Sequence, residues 1–215
     1  MNLFSRIFYL AVKNFLFLAL KIYNRLSVKW AGPLPQRNVI VIANHCSNLD
    51  PVVIGGAFPR RLRYLAKSEL FAPFLFGRMI RTLGAIPVLK QDSQSAGTAL
   101  RAFLKLLEEG ENVLLFPEGG RSLDGKLQPL EGGAALIALK SGAPVVPAFI
   151  SGTFRAMPPG SGWVKPVKLS VVFGNAIDPA DFAAFGKQGR DRLLERLGMA
   201  LSSLEREPAE GREEQ

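Results

Sequence analysis

The stretch Val39-Ile40-Val41-Ile42-Ala43-Asn44-His45-Cys46-Ser47-Asn48-Leu49-Asp50-Pro51 carries three signals in succession. Its first five residues are an apolar run that reads as a buried strand. Asp50 followed by Pro51 reads as a helix N-cap with proline at the first helical position. His45, the only histidine of the chain, therefore falls in the turn between a strand end and a helix start. A carboxylate placed there can reach back to one ring nitrogen, fix the tautomer and leave the other nitrogen as a base. The plainer alternative makes Asp50 a cap alone and His45 a polar strand-end residue bonded to backbone.

Outward from this turn, strand-like and helix-like patterns alternate. Strands are expected over Leu62 to Ala66, Gly84 to Leu89, Asn112 to Phe116, Val145 to Ile150 and Val167 to Phe173. Helices are expected over Pro51 to Phe58 and Glu69 to Arg81, where Pro73 breaks or starts the element, and over Gly132 to Lys140. Ser95 to Glu109 has Leu100, Phe103, Leu104 and Leu107 at helical spacing and stops at Gly110. Leu193, Leu194, Leu197, Ala200, Leu201 and Leu204 line a final helix. The alternation predicts an α/β fold, a mainly parallel twisted sheet flanked by helices, with ligands at the carboxyl ends of the strands.

Of 215 residues, 48% are hydrophobic and 21% charged, which excludes a disordered chain and suits one domain with a small appendage. A single cysteine excludes an intrachain disulfide framework and, with a single histidine, leaves no His/Cys metal site to expect. The net charge of +9 is unevenly spread. Residues 1–49 hold no acid, and Glu69 is the one acid among Arg60, Arg61, Arg63, Lys67, Arg78 and Arg81. Such polarity implies an anionic partner.

The N-terminal segment narrows the choice. From Leu3 to Leu26 apolar residues dominate, yet charges interrupt them well before the roughly 20 residues that a bilayer span requires. As a helix, Asn2, Arg6, Lys13 and Asn24 fall near one stripe opposite a broad apolar face. The expectation is an amphipathic helix in a membrane interface, its lysines reaching for headgroups. An interrupted transmembrane helix and a core helix stand as alternatives. A signal peptide is disfavoured, because charges break its apolar region and no small-residue cleavage site follows. Gly32-Pro33-Leu34-Pro35 marks a linker. The expected organisation is a membrane-associating helix at residues 1–31, a domain at 36–205 and an acidic flexible tail at 206–215.

A second constellation, Phe116-Pro117-Glu118-Gly119-Gly120-Arg121-Ser122, follows the strand ending at Phe116. Two glycines let backbone N–H groups approach an anion, and Arg121 offers a bidentate guanidinium to phosphate oxygens. Glu118 would accept a bond from a substrate hydroxyl or hold a neighbouring arginine. A surface turn with a capping serine is the competing reading. Gly120 to Leu127 misses a Walker A sequence because Leu127 replaces the hydroxyl residue.

The two constellations and two further blocks resemble the glycerolipid acyltransferases typified by 1-acylglycerol-3-phosphate acyltransferase, in order over about residues 39–150. His45 and Asp50 match the H-x4-D motif. Gly84-Ala85-Ile86-Pro87-Val88-Leu89-Lys90 resembles a second block, with Lys90 where arginine is usual. Phe116 to Ser122 resembles F-P-E-G-T-R-S, with Gly120 for threonine, and Ala143-Pro144-Val145-Val146-Pro147 a fourth block. The resemblance implies acyl transfer from acyl-CoA or acyl-carrier protein to a lysophospholipid hydroxyl, most readily 1-acylglycerol 3-phosphate, at the cytoplasmic face of the cell membrane. His45 would be the base and Asp50 its orienter. Glu118, Gly119, Gly120 and Arg121 would fall in the acceptor-binding block, and Lys67 matches a basic position near the site. An activated thioester implies no metal and no cofactor. Another lyso-lipid, glycerol 3-phosphate, or a non-catalytic basic module binding membrane or nucleic acid are the alternatives. Nucleic acid is not the expected partner, because the basic residues lack interleaved aromatics. Cys46, adjacent to His45, is expected to point the opposite way and pack as a small side chain.

Overall fold

The computed structural model describes residues 3–88 and 96–206. Leu89 and Lys90 of the second block, Asn2, and nearly all of the acidic tail lie outside them. A long helix α1 (Leu3–Tyr23) leads into strand β1 (Ser27–Trp30) and then β2 (Ile40–Ala43). Next come α2 (Asp50–Ala57), β3 (Leu62–Lys67), a 3-10 turn (Ser68–Phe71), α3 (Phe74–Thr82) and β4 (Ala85–Val88). Helix α4 (Ala96–Glu108), β5 (Asn112–Leu115), α5 (Gly133–Ser141), β6 (Val145–Ser151) and a short α6 (Thr153–Ala156) follow. Strand β7 (Ser170–Phe173), a short α7 (Ala180–Ala183), a second 3-10 turn (Gly186–Gln188) and α8 (Gly189–Arg206) complete the described elements.

The strands form one sheet in the order β1-β7-β6-β2-β5-β3-β4. From β6 to β4 neighbouring strands are parallel, whereas β7 pairs antiparallel with β6 and carries β1 parallel to itself. The sheet is thus mainly parallel with a reversed edge. Strand β2 lies at its centre, fully buried, and its side chains alternate between two apolar layers. Val41 and Ala43 join the layer covered by α1, α2 and α3, while Ile40 and Ile42 join the layer covered by α4, α5 and α8. An apolar run with no polar face is what a strand covered on both sides requires.

Helix α4 buries Phe103 and Leu107 and ends before Gly110 at a φ of 76°, and α8 buries Leu193, Leu197, Leu201 and Leu204, as their spacing predicts. Helix α5 closes with Gly142 in the left-handed conformation, its N–H on the Ala138 carbonyl, a stop that a side chain would strain. Pro73 divides the segment expected as one helix into the 3-10 turn and α3, at whose start its missing N–H costs nothing.

Two expectations change. Strand β1 lies in the segment assigned to the N-terminal helix, so Gly32 to Pro35 joins two strands of the sheet rather than a helix to a body. Four residues with a lysine among them carry no readable alternation. Trp30 nevertheless stacks on Phe173 with centroids 4.1 Å apart.

Lys13 and Asn24 of the polar stripe of α1 also face inward instead of outward, whereas Arg6 near the start of the helix is exposed. Lys13 is buried with its Nζ donating to the Phe58 carbonyl, and Asn24 donates to the carbonyls of Lys165 and Val167. Tyr9 and Leu20 lie on the same stripe, against the body. Leu3, Phe4, Ile7, Phe15, Leu18 and Ile22 point away from it, each more than half exposed. Helix α1 as a whole is long and apolar enough to cross a membrane. The charge that interrupts it midway is turned to the protein.

Candidate active site

Strand direction brings the predicted residues to one edge. The turn after β2, the loop after β5 and the end of β3 all leave the carboxyl ends of parallel neighbours. Leu49, without a side-chain cap bond, precedes α2, and Asp50 is the helix's first residue. Its carboxylate turns back over the preceding loop. Oδ2 accepts from the backbone N–H of Cys46 and of Ser47, at 2.7 Å each, and meets His45 Nδ1 at 2.8 Å. The cap-only reading of Asp50 is thereby set aside.

With an ionised Asp50, Nδ1 is the donor and the lone pair rests on Nε2. Asp50 is fully enclosed, whereas His45 keeps 17% of its side chain exposed. The ring is pinned on one face by Phe116, stacked with centroids 4.0 Å apart. Enclosed acid, oriented ring and open nitrogen are what a general base requires.

The loop after β5 clamps the histidine backbone from both sides. His45 N–H donates to Glu118 Oε1 at 2.6 Å, and the His45 carbonyl accepts from Ser122 N–H at 2.8 Å. Glu118 Oε2 accepts from Gln128 N–H. Both carboxylate oxygens are thus engaged by backbone, not by a neighbouring arginine as one sequence reading offered. Burial pushes the Glu118 carboxyl above its ordinary range, and the two backbone donors oppose that rise.

Gly119 has a φ of 70°, a left-handed conformation that glycine adopts without strain, and a Cβ there would also displace the end of the Glu131 side chain. Gly120 has nothing within 4 Å of the corresponding position, leaving room for the threonine that the resemblance leads one to expect. Arg121 is exposed and makes no hydrogen bond or ion pair to a described residue. Lys67 is exposed at the end of β3, two strands from β2, or roughly 10 Å across the sheet.

Sequence reading missed three supports of the turn. Asn44 pairs both ways with Ile150, donating to its carbonyl and accepting from its N–H. This continues the β2–β6 ladder one residue further with a side chain. Ser47 Oγ donates to the Met157 carbonyl, and Phe116 supplies the stacked ring. An Asn before the histidine and an aromatic before Pro117 were visible as residues, but their partners are over a hundred positions away or in another strand.

Cys46 packs as expected, with Sγ 3.4 Å from Thr153 Oγ1. Burial first, and the Asp50 carboxylate second, push its thiol up to about 11, so it stays protonated near neutrality. Cys46→Ser is expected to change the acyl transfer that the resemblance implies less than about threefold, because the thiolate is the nucleophilic form and is not populated. Loss of turnover together with an acyl group trapped on Cys46 would reverse that assignment. A cleft of about 580 Å³ opens beside Cys46 between Phe154, Arg155 and Lys168, whereas one of about 410 Å³ lies among Arg37, Lys140 and Gly142 at the opposite end of the sheet.

Residues 25–151 match the family described as Acyltransferase, a span from β1 to the end of β6 that contains both loops. The 1-acyl-sn-glycerol-3-phosphate acyltransferase of Bacillus subtilis is 33% identical over 191 residues, covering 86% of this chain and 87% of that relative. The chain belongs to the 1-acyl-sn-glycerol-3-phosphate acyltransferase family.

A second member, the chloroplastic BAT2 of Brassica napus, is 32% identical over 152 residues, covering 68% of this chain and 44% of its own length. The chain spans about half the length of such plant relatives. The crystal structure of the 1-acyl-sn-glycerophosphate acyltransferase PlsC from Thermotoga maritima superposes with a TM-score of 0.75 at 27% identity. The match covers 94% of this acyltransferase-family chain and 80% of the other. Helix α1 lies outside the family match, which begins at residue 25.

Proposed function

We propose that the chain moves a fatty acyl group from an acyl thioester to the free hydroxyl of 1-acylglycerol 3-phosphate, yielding phosphatidic acid, with His45 as general base. The observation that carries this reading is the enclosed Asp50 carboxylate, held by two backbone amides and directed at His45 Nδ1. An alcohol is a poor nucleophile near neutral pH, so its proton must leave as it attacks the thioester carbonyl. Nε2 takes that proton while the new C–O bond forms, and Asp50 stabilises the resulting imidazolium. Collapse of the tetrahedral intermediate breaks the C–S bond, and the imidazolium returns the proton to the departing thiolate. Atoms and charge balance with the two substrates alone.

The phosphate of the acceptor is assigned to Arg121, whose exposed guanidinium has no described partner to give up. Lys67 and the amides of Gly119 and Gly120 are assigned to the same anion or to the oxyanion. Glu118 is assigned the task of holding the histidine backbone, an acceptor-side role through position rather than contact. The donor is acyl-CoA or acyl-carrier protein. Helix α1 is assigned to the cytoplasmic face of the membrane as an interfacial element. Its buried Lys13 and Asn24 favour lying on the surface, since crossing alone would strip both of their partners.

Purified chain supplied with each donor and a panel of lyso-lipids tests the reading. Phosphatidic acid from 1-acylglycerol 3-phosphate is expected to dominate, and preference for an acceptor without phosphate would overturn it. Arg121→Ala is expected to raise the acceptor KM about tenfold or more with little change in kcat, since a charge-assisted bond made equally in ground and transition states acts on binding. An unchanged KM would remove Arg121 from the phosphate site.

A further inference from the structure

We infer that a second membrane contact lies at the mouth of the site: Phe74 and Leu75 at the start of α3, and Trp163 in the loop before β7, enter the surface of an anionic phospholipid bilayer. This rests on the reading of α1 as a membrane element and extends it to an orientation.

Phe74, Leu75 and Trp163 are 74%, 80% and 85% exposed. Phe71, three residues before Phe74, and Val164, next to Trp163, are instead packed against the main apolar layer. Three large apolar side chains from two separate segments, all turned to water, mark an interaction surface.

Their position follows from chain direction. Strand β3 ends at Lys67 on the edge of the sheet that carries the His45 turn, and the 3-10 turn delivers Phe74 from that edge. Strand β7 runs the opposite way, so the loop that enters it lies on the same edge. That loop is tied at both flanks of Trp163. Before it, the Met157 carbonyl accepts from Ser47 of the active-site turn. After it, the Val164 carbonyl accepts from Tyr23, and those of Lys165 and Val167 accept from Asn24. Trp163 therefore stands between the site and the end of α1, where Ile22 is 72% exposed. The outward face of α1 runs into this rim.

Charge selects the occupant. Between Pro51 and Val88 the one acid is Glu69, and between Gly132 and Ile177 there is none. Lys67, Arg78 and Lys165 are exposed beside the apolar residues. Bases around outward aromatics, continuous with an apolar helix face, suit anionic headgroups with tryptophan at the interface. A bilayer lying across this rim sets the hydroxyl of a lipid acceptor against His45 without withdrawing its chain into water.

The test uses the full chain as Trp30→Phe, which leaves Trp163 the sole tryptophan. It is mixed with phosphatidylglycerol–phosphatidylcholine vesicles with and without brominated acyl chains. Trp163 emission is expected to shift to the blue and to be quenched at least twofold by the brominated lipid. If Trp30→Phe does not fold, the same reading is taken as the difference between the wild-type chain and Trp163→Phe. Phe74→Ser with Leu75→Ser is expected to lower vesicle partition at least tenfold and to leave turnover in detergent micelles unchanged. Vesicle binding without quenching of Trp163 overturns this contact and spares the role of α1. Absence of any vesicle binding overturns both. A change of oligomeric mass in the serine variant, with partition unaltered, assigns the patch to a second copy and also overturns it.

Discussion

His45→Ala is expected to lower acyl transfer by about a thousandfold or more while leaving the melting temperature close to that of the parent, since general-base catalysis alone contributes about 10²–10⁴-fold. In the proposed mechanism Nε2 removes the hydroxyl proton, and a methyl group cannot replace it. The ring itself contributes little to stability, because its contacts are one stacked face and one bond to Asp50. Asp50 separates catalysis from folding in a complementary way. Asn at this position can keep an oxygen under the amides of Cys46 and Ser47 but carries no charge for the imidazolium, so turnover should fall about 10²–10⁴-fold with modest loss of stability. Ala leaves both buried amides without a partner, at about 1–3 kcal/mol each. Steady-state rates and thermal melts on the three variants read this directly. Normal turnover in His45→Ala would end the general-base mechanism.

The second large effect is expected on membranes. Phe15, Leu18 and Ile22 are 71%, 57% and 72% exposed on the outward face of α1. Changing all three to serine should lower vesicle partition by roughly a thousandfold or more, since burial of each such side chain is worth about 1.5–3 kcal/mol. Lys13→Met is the informative contrast. Its ammonium is bonded to the Phe58 carbonyl inside the protein, so its loss should cost about 1 kcal/mol of stability and leave partition unchanged. Release by Lys13→Met, with retention of the triple variant, would show the helix to be turned the other way. Deleting residues 1–30 cannot make the same point. It removes β1 as well as Leu20 and Leu26 from the main apolar layer, and unfolding would release the chain whatever α1 does.

The pair at the centre of the site was readable because it is local. A histidine at a strand end and an aspartate at the start of the next helix are joined by one turn, and few conformations of that turn keep them apart. The helices α4 and α8 were readable for a related reason, since their leucines repeat at the period of the helix itself. Glu118 was visible as a residue but not in its role. Its bond to the His45 backbone joins turns of two neighbouring strands, and only the β2–β5 register decides which groups meet there. Strand β1 was not readable at all, since a short edge strand shows no burial pattern until its partner β7 exists.

The amino-acid sequence alone determined the alternation of the main strands and helices from β2 onward, the placing of His45 and Asp50 in one turn and the two-faced character of α1, because each depends on spacing along the chain. Tertiary structure decided which face of α1 meets the protein and which backbone groups Glu118 holds. Periodicity orients side chains only relative to their own helix or strand. Which way that element then turns depends on the donors, acceptors and apolar surface that distant segments present to it.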